Sequence, residues 1–151
     1  MKFIYTIFLL FIMGAKANAQ TPGGYDSLLA KKLHADAYGM KKYILVLLKT
    51  GPTSITDKAK RDSFFMGHMK NIQRLASENK LILAGPLGKN DNAYEGIFVL
   101  NTDSMKEAGQ MLETDPAVHS GLLASELYLW YASAAVQEIP GMHEKIQKEH
   151  F

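Results

Sequence analysis

Apolar positions fall along this chain in two alternating periods. Tyr43-Ile44-Leu45-Val46-Leu47-Leu48 is an unbroken apolar run bounded by Gly51-Pro52, the pattern of a short strand with both faces buried. Phe65, His68, Met69, Ile72, Leu75 and Ala76 then recur at three-and-four spacing, while Lys70, Asn71, Gln73, Arg74 and Glu78 fill the other face. This predicts an amphipathic helix that ends near Asn79-Lys80. Ser54-Ile55-Thr56-Asp57 reads as a capping box, so the helix is expected to begin there. Leu81-Ile82-Leu83-Ala84 predicts a second strand stopped by Gly85-Pro86, and Tyr94 to Leu100 a third, across a polar loop with Asn90, Asp91 and Asn92. The two should form a hairpin. Ser104-Met105-Lys106-Glu107 is a second capping box, and Ala108, Met111 and Leu112 share one face of a helix running to about Glu113. Asp115-Pro116 is expected to stop it. From Glu126 to Tyr131, Leu127, Leu129 and Tyr131 alternate with Tyr128 and Trp130, which predicts the last strand.

The order β-α-β-β-α-β is that of an α+β domain of ferredoxin-like type: a four-stranded antiparallel sheet with two helices on one face. The other face is left open and apolar, and a second copy of the chain, dimerising through the sheet, is its expected cover. The core domain is expected over residues 42–136. Before it, residues 20–41 carry Pro22, Gly23 and Gly24 and read as an N-terminal arm, with Leu28, Leu29, Lys32 and Leu33 able to form a short helix. After it, residues 137–151 read as a charged tail that becomes a short helix or a solvated segment beyond Pro140-Gly141.

The first nineteen residues have a different layout. Lys2 precedes an apolar run from Phe3 to Met13, and Ala17-Asn18-Ala19 places small residues before Gln20, as in a secretory signal peptide. The apolar run is shorter than the roughly 20 residues a membrane-spanning helix needs. Cleavage near Ala19 and an exported chain, periplasmic or secreted and free of the membrane, are expected. Losing Lys2 and Lys16 with that segment leaves Lys+Arg equal to the 15 Asp+Glu, so the remaining chain has no basic excess with which to hold nucleic acid. There is no cysteine, which excludes disulfides and thiolate chemistry.

Among chemically capable side chains, His68 lies on the stripe that should face the sheet, and imidazole is a common acid/base group near neutral pH. Its neighbour Gly67 costs about 1 kcal/mol relative to alanine inside a helix, so it marks a close approach by a strand, a partner or a ligand. Asp115 belongs to an Asp-Pro pair that commonly makes a turn. Within reach of His68, its carboxylate would fix the ring's tautomer, but sequence spacing does not decide whether it reaches. His119 is an alternative imidazole in a connection expected to be exposed. Gly85-Pro86 turns the chain, and Gly96 inside a strand implies a bulge or a close backbone approach; either could border a pocket. Tyr128, Trp130 and Tyr131 read as sheet core or dimer interface, and Met66, Met69, Met105 and Met111 as core filling. His34 with Asp36, and His143 with His150, lack the spacing of a zinc motif, so no metal is expected. The chain has no phosphate-binding glycine loop, no Gly-x-Ser-x-Gly elbow and no dinucleotide fingerprint.

Tyr43 to Ala134 resembles the YCII-related, or YciI-like, proteins of the dimeric α/β-barrel group. The likeness rests on His68, on Ala84-Gly85-Pro86-Leu87, and on Asp115-Pro116 with Gly121-Leu122. It implies a ferredoxin-like protomer that pairs sheet to sheet, with a catalytic His/Asp site at His68 and Asp115, Gly85 and Pro86 nearby, and no cofactor. Some relatives act on chlorinated aromatic or lactone-like intermediates. The signal peptide, arm and tail depart from the common pattern and argue against a cytoplasmic catabolic role. Two functions follow: an exported enzyme of isomerase, lyase or lactone-hydrolase type that moves a proton on a small organic substrate, or a non-catalytic module whose cleft binds a small apolar or aromatic ligand. A purely structural role for the histidine is a third.

Overall fold

The computed structural model describes residues 24–149; the expected signal peptide and its cleavage near Ala19, residues 20–23 of the arm, and His150 lie outside them. Strands β1 (Met40–Thr50), β2 (Leu81–Pro86), β3 (Tyr94–Leu100) and β4 (Leu123–Ser133) form one antiparallel sheet in the order β2-β3-β1-β4. With α2 (Lys58–Ser77) and α3 (Met105–Glu113) between them, this is the expected ferredoxin-like α+β fold; the short α1 (Ser27–Lys32) precedes it. Side chains alternate across a strand, so Ile44, Val46 and Leu48 of β1 point to one face. There they form the main core with Phe98 and Leu100 of β3, Leu75 of α2, and Ala108, Met111 and Leu112 of α3.

Strands β1 and β4 run longer than the expected 43–48 and 126–131, and four further features differ from the sequence expectation, each for a physical reason. Helix α2 begins at Lys58, capped by the Asp57 carboxylate, which accepts from Lys60 N at 3.2 Å. Gly51 N and Thr53 N still donate to Leu122 O and Gly121 O, which keeps the chain extended past Thr50 and delays the helix beyond Ser54. Gly85 and Pro86 do not stop β2 but lie in it, opposite Ile97 and Gly96. Because β2 is an edge strand, proline's missing N–H costs it no ladder bond that a central strand would need. The β1–β3 register shifts between Leu48 and Lys49, and a Cβ on Gly96 would sit 2.9 Å from Gly85 O, so the expected close approach is there. Asp115-Pro116 does more than end α3: it starts a short helix α4 (Pro116–His119), with Asp115 as N-cap and proline in the first turn.

The fourth difference is at the C-terminus. Residues Ala134–Glu138 form a 3₁₀ turn that continues into α5 (Ile139–His143), so the segment after 137 begins as ordered structure with Pro140-Gly141 inside its helix. Val136 packs with Leu45, Tyr43, Ile82, Val99 and Ala132 on the sheet face away from α2 and α3. The chain therefore covers one end of the face expected to be open. Polar clips hold the cover down: Lys41 Nζ donates to Gln137 Oε1 at 2.9 Å, and Gln137 Nε2 donates to Leu33 O of the arm at 2.7 Å.

Candidate functional site

Helix α2 presents His68 toward β3, where its ring stacks on Phe98 with centroids 5.7 Å apart and planes 18° apart. Phe65, one turn earlier, meets the ring edge-on at 6.5 Å. The site is completed by the turn between α3 and α4. Asp115 is fully buried, and its Oδ2 lies 2.7 Å from His68 Nδ1. Its Oδ1 accepts the backbone N–H of Ala117 at 2.9 Å and of Val118 at 3.4 Å, so the helix cap holds the carboxylate in place.

Gly67 explains how α4 comes so close. A Cβ there would lie 2.8 Å from Pro116 Cγ, so the glycine serves the contact that brings Asp115 over His68. The expected close approach is there, but it is made by a neighbouring helix of the same chain and not by a strand, a partner or a ligand.

The charge state follows from the contacts. Burial pushes the Asp115 pKa up, but the His68 hydrogen bond and charge, with the Ala117 and Val118 N–H groups, outweigh it and hold the carboxyl below its ordinary 3.8. An ionised carboxylate only accepts hydrogen bonds, so the proton between the two side chains sits on His68 Nδ1. In the neutral ring, Nε2 then carries the free lone pair. Among the described residues none bonds to Nε2, and none of their fully buried side-chain nitrogen or oxygen atoms lacks a partner, so Nε2 is not fully buried although His68 is only 9% exposed. A pair arranged in this way can serve as an oriented general base.

The other candidates lie elsewhere. Pro86 pairs with Gly96 and shares the helix-side face with Ala84, which is opposite Phe98; Gly85 pairs with Ile97, and neither residue bonds to the His68–Asp115 pair. His119 is exposed and lies 3.3 Å from Glu113 Oε2. Asp36 is occupied with a turn, accepting from Tyr38 N and Met40 N and from the Tyr131 hydroxyl. Among the described residues, no three His, Asp or Glu side chains converge as a metal site would require. No helix among them is long and apolar enough to cross a membrane.

Sequence reasoning missed Asn71, assigned to the polar face of the helix. It is 6% exposed, and its Nδ2 lies 3.3 Å from Asp115 Oδ2. Its position three residues after His68 was the available signal, since such pairs share a helix face.

Comparisons with known proteins place the chain in a family. The model of the YCII-related domain matches residues 42–130. The uncharacterized protein YjpA of Bacillus subtilis (strain 168) is 38% identical over 61 residues, which are 40% of this chain. The match spans 66% of that relative's length. Among solved structures, 5-chloro-2-hydroxyhydroquinone dehydrochlorinase (TftG) from Burkholderia phenoliruptrix AC1100, in complex with 2,5-dihydroxybenzoquinone, is 23% identical with a TM-score of 0.43. That likeness covers 58% of this chain and 92% of the other. On the extent of the domain match, the chain belongs to the YCII-related domain family.

Proposed function

We propose that this protein is an exported enzyme that transfers a proton on a small apolar or aromatic organic molecule, with His68 as the acid/base group and Asp115 as the residue that positions it. The observation that carries the reading is the 2.7 Å contact of His68 Nδ1 with a buried, ionised Asp115, which leaves Nε2 as a free base at the ring edge. Nε2 takes a proton from an acidic C–H or O–H of the substrate, and the imidazolium is stabilised by the adjacent carboxylate. Returning that proton to another atom gives isomerisation; loss of a leaving group instead gives elimination; in lactone opening the base would activate water. None of these steps requires a metal or organic cofactor. Phe65 and Phe98 beside the ring favour an uncharged, flat substrate.

The working unit is a homodimer formed through the part of the sheet that the C-terminal segment leaves open. There Leu83, Tyr128 and Trp130 are exposed, and Leu47 and Ile97 are half-buried.

The test is turnover of a panel of halogenated hydroxyquinols and enol lactones by the parent, His68→Gln and Asp115→Asn. Loss of the proton carrier should lower kcat by about 10²–10⁴-fold. Asp115→Asn, which no longer enforces the tautomer, should also be slowed. A His68→Gln variant as active as the parent would end the catalytic reading and favour a ligand-binding module.

A further inference from the structure

Asp115 Oδ2 is shared between His68 Nδ1 at 2.7 Å and Asn71 Nδ2 at 3.3 Å. The far end of the Asn71 amide is also engaged: Arg74 Nη2 donates to its Oδ1 at 2.8 Å, and Thr114 Oγ1 lies 3.0 Å from the same oxygen. The orientation of this amide is forced. A carboxylate only accepts and a guanidinium only donates, so the NH2 must face Asp115 and the oxygen must face Arg74. Arg74 is itself held by Thr114 Oγ1 at 2.8 Å and Glu78 Oε1 at 2.9 Å. A chain of hydrogen bonds thus runs from an exposed cation to the oxygen that holds His68.

We propose that Asn71 and Arg74 are positioning residues for the His68–Asp115 pair: Arg74 orients the Asn71 amide, and the amide fixes which lone pair of Asp115 Oδ2 is left for His68. Asparagine is suited to the place because it donates at one end and accepts at the other; aspartate would set two carboxylates together, and leucine breaks both bonds. The charged groups around the pair leave Arg74 as the cation in line with it. Lys80 pairs with Glu78, Glu113 and His119 face one another at the exposed side of α4, and the sheet offers Phe98. The inference rests on the reading of His68 as the proton carrier, but its test needs no turnover.

The probe is the His68 Nδ1–H proton resonance in the full chain labelled with ¹⁵N-histidine, assigned by its loss in His68→Gln. Asn71 withdraws charge from Oδ2, so Asn71→Leu should strengthen the His68 bond and move the resonance downfield. Arg74→Met should move it in the same direction by less. Lys80→Met, which alters the same surface cavity and shares Glu78 with Arg74 but bonds to neither Asn71 nor Asp115, should leave it in place. An unmoved resonance in folded Asn71→Leu overturns the proposal. If that variant does not fold, Arg74→Met decides, because the Arg74 side chain is 43% exposed and its loss opens no core; an unmoved resonance there overturns it too. Failure of the catalytic reading would appear separately, as an active His68→Gln enzyme.

Discussion

Asp115 carries more of the site than its position in a turn suggests, because one side chain caps α4 and orients His68 at the same time. This double use has a pH signature. The folded pKa lies below the ordinary 3.8, so the unfolded chain binds the proton more readily. The stabilisation is therefore complete above the ordinary value and is lost as pH falls through the lowered folded value. Urea unfolding followed from about pH 5 downward should show parent stability falling, with a shallower fall in Asp115→Asn. Parallel curves for the two proteins would contradict the assigned charge. At this scale, His68 was legible from the apolar stripe, because a helix face is a local, periodic property. The partnership with Asp115 was not, since it depends on how two separate helices close on each other.

That closure is made by elements, at the crossing of α2 and α4. Gly67→Ala gains about 1 kcal/mol of helix propensity, but it places a methyl against the Pro116 ring, and overpacking of this kind typically costs 1–3 kcal/mol. We expect a net loss of about 1 kcal/mol in urea melts, with reduced turnover as α4 is pushed off His68. A variant more stable than the parent would show that the contact is slack. The pattern was a good guide to element type and order, because strand and helix periods differ and each is repeated several times. It was a poor guide to ends. Ser54 and Asp57 both satisfy a capping pattern, and the choice was made by Gly51 and Thr53 pairing with Leu122 and Gly121, far away in sequence. Gly85-Pro86 reads as a stop until the strand's place at the sheet edge is known.

For the whole molecule, the question is what faces the sheet from the other side. Trp130 and Leu129 are neighbours in β4, and alternation sends them to opposite faces: Trp130 pairs with Tyr43 of the partly open face, and Leu129 with Ile44 of the helix-covered one. If the open face is the dimer interface, Trp130→Glu should run as a monomer in light scattering, while Leu129→Glu, also at an exposed position, should stay dimeric. A monomeric parent would contradict the proposed assembly. The open face was legible in the apolar strand pattern. Its partial cover by residues 134–138 was not, because Ala134-Ala135-Val136 has no periodicity and the segment is held by Tyr43 at Ala134 and by Lys41 at Gln137, both far away in sequence.

The site turns on one proton, the one between His68 and Asp115. The most direct measurement is the ¹⁵N spectrum of the neutral His68 ring in the full chain. A protonated Nδ1 with an unprotonated Nε2 is the expected result, the tautomer that Asp115 enforces and that base catalysis at Nε2 requires. A ring protonated at Nε2, or an even mixture of the two forms, would contradict it.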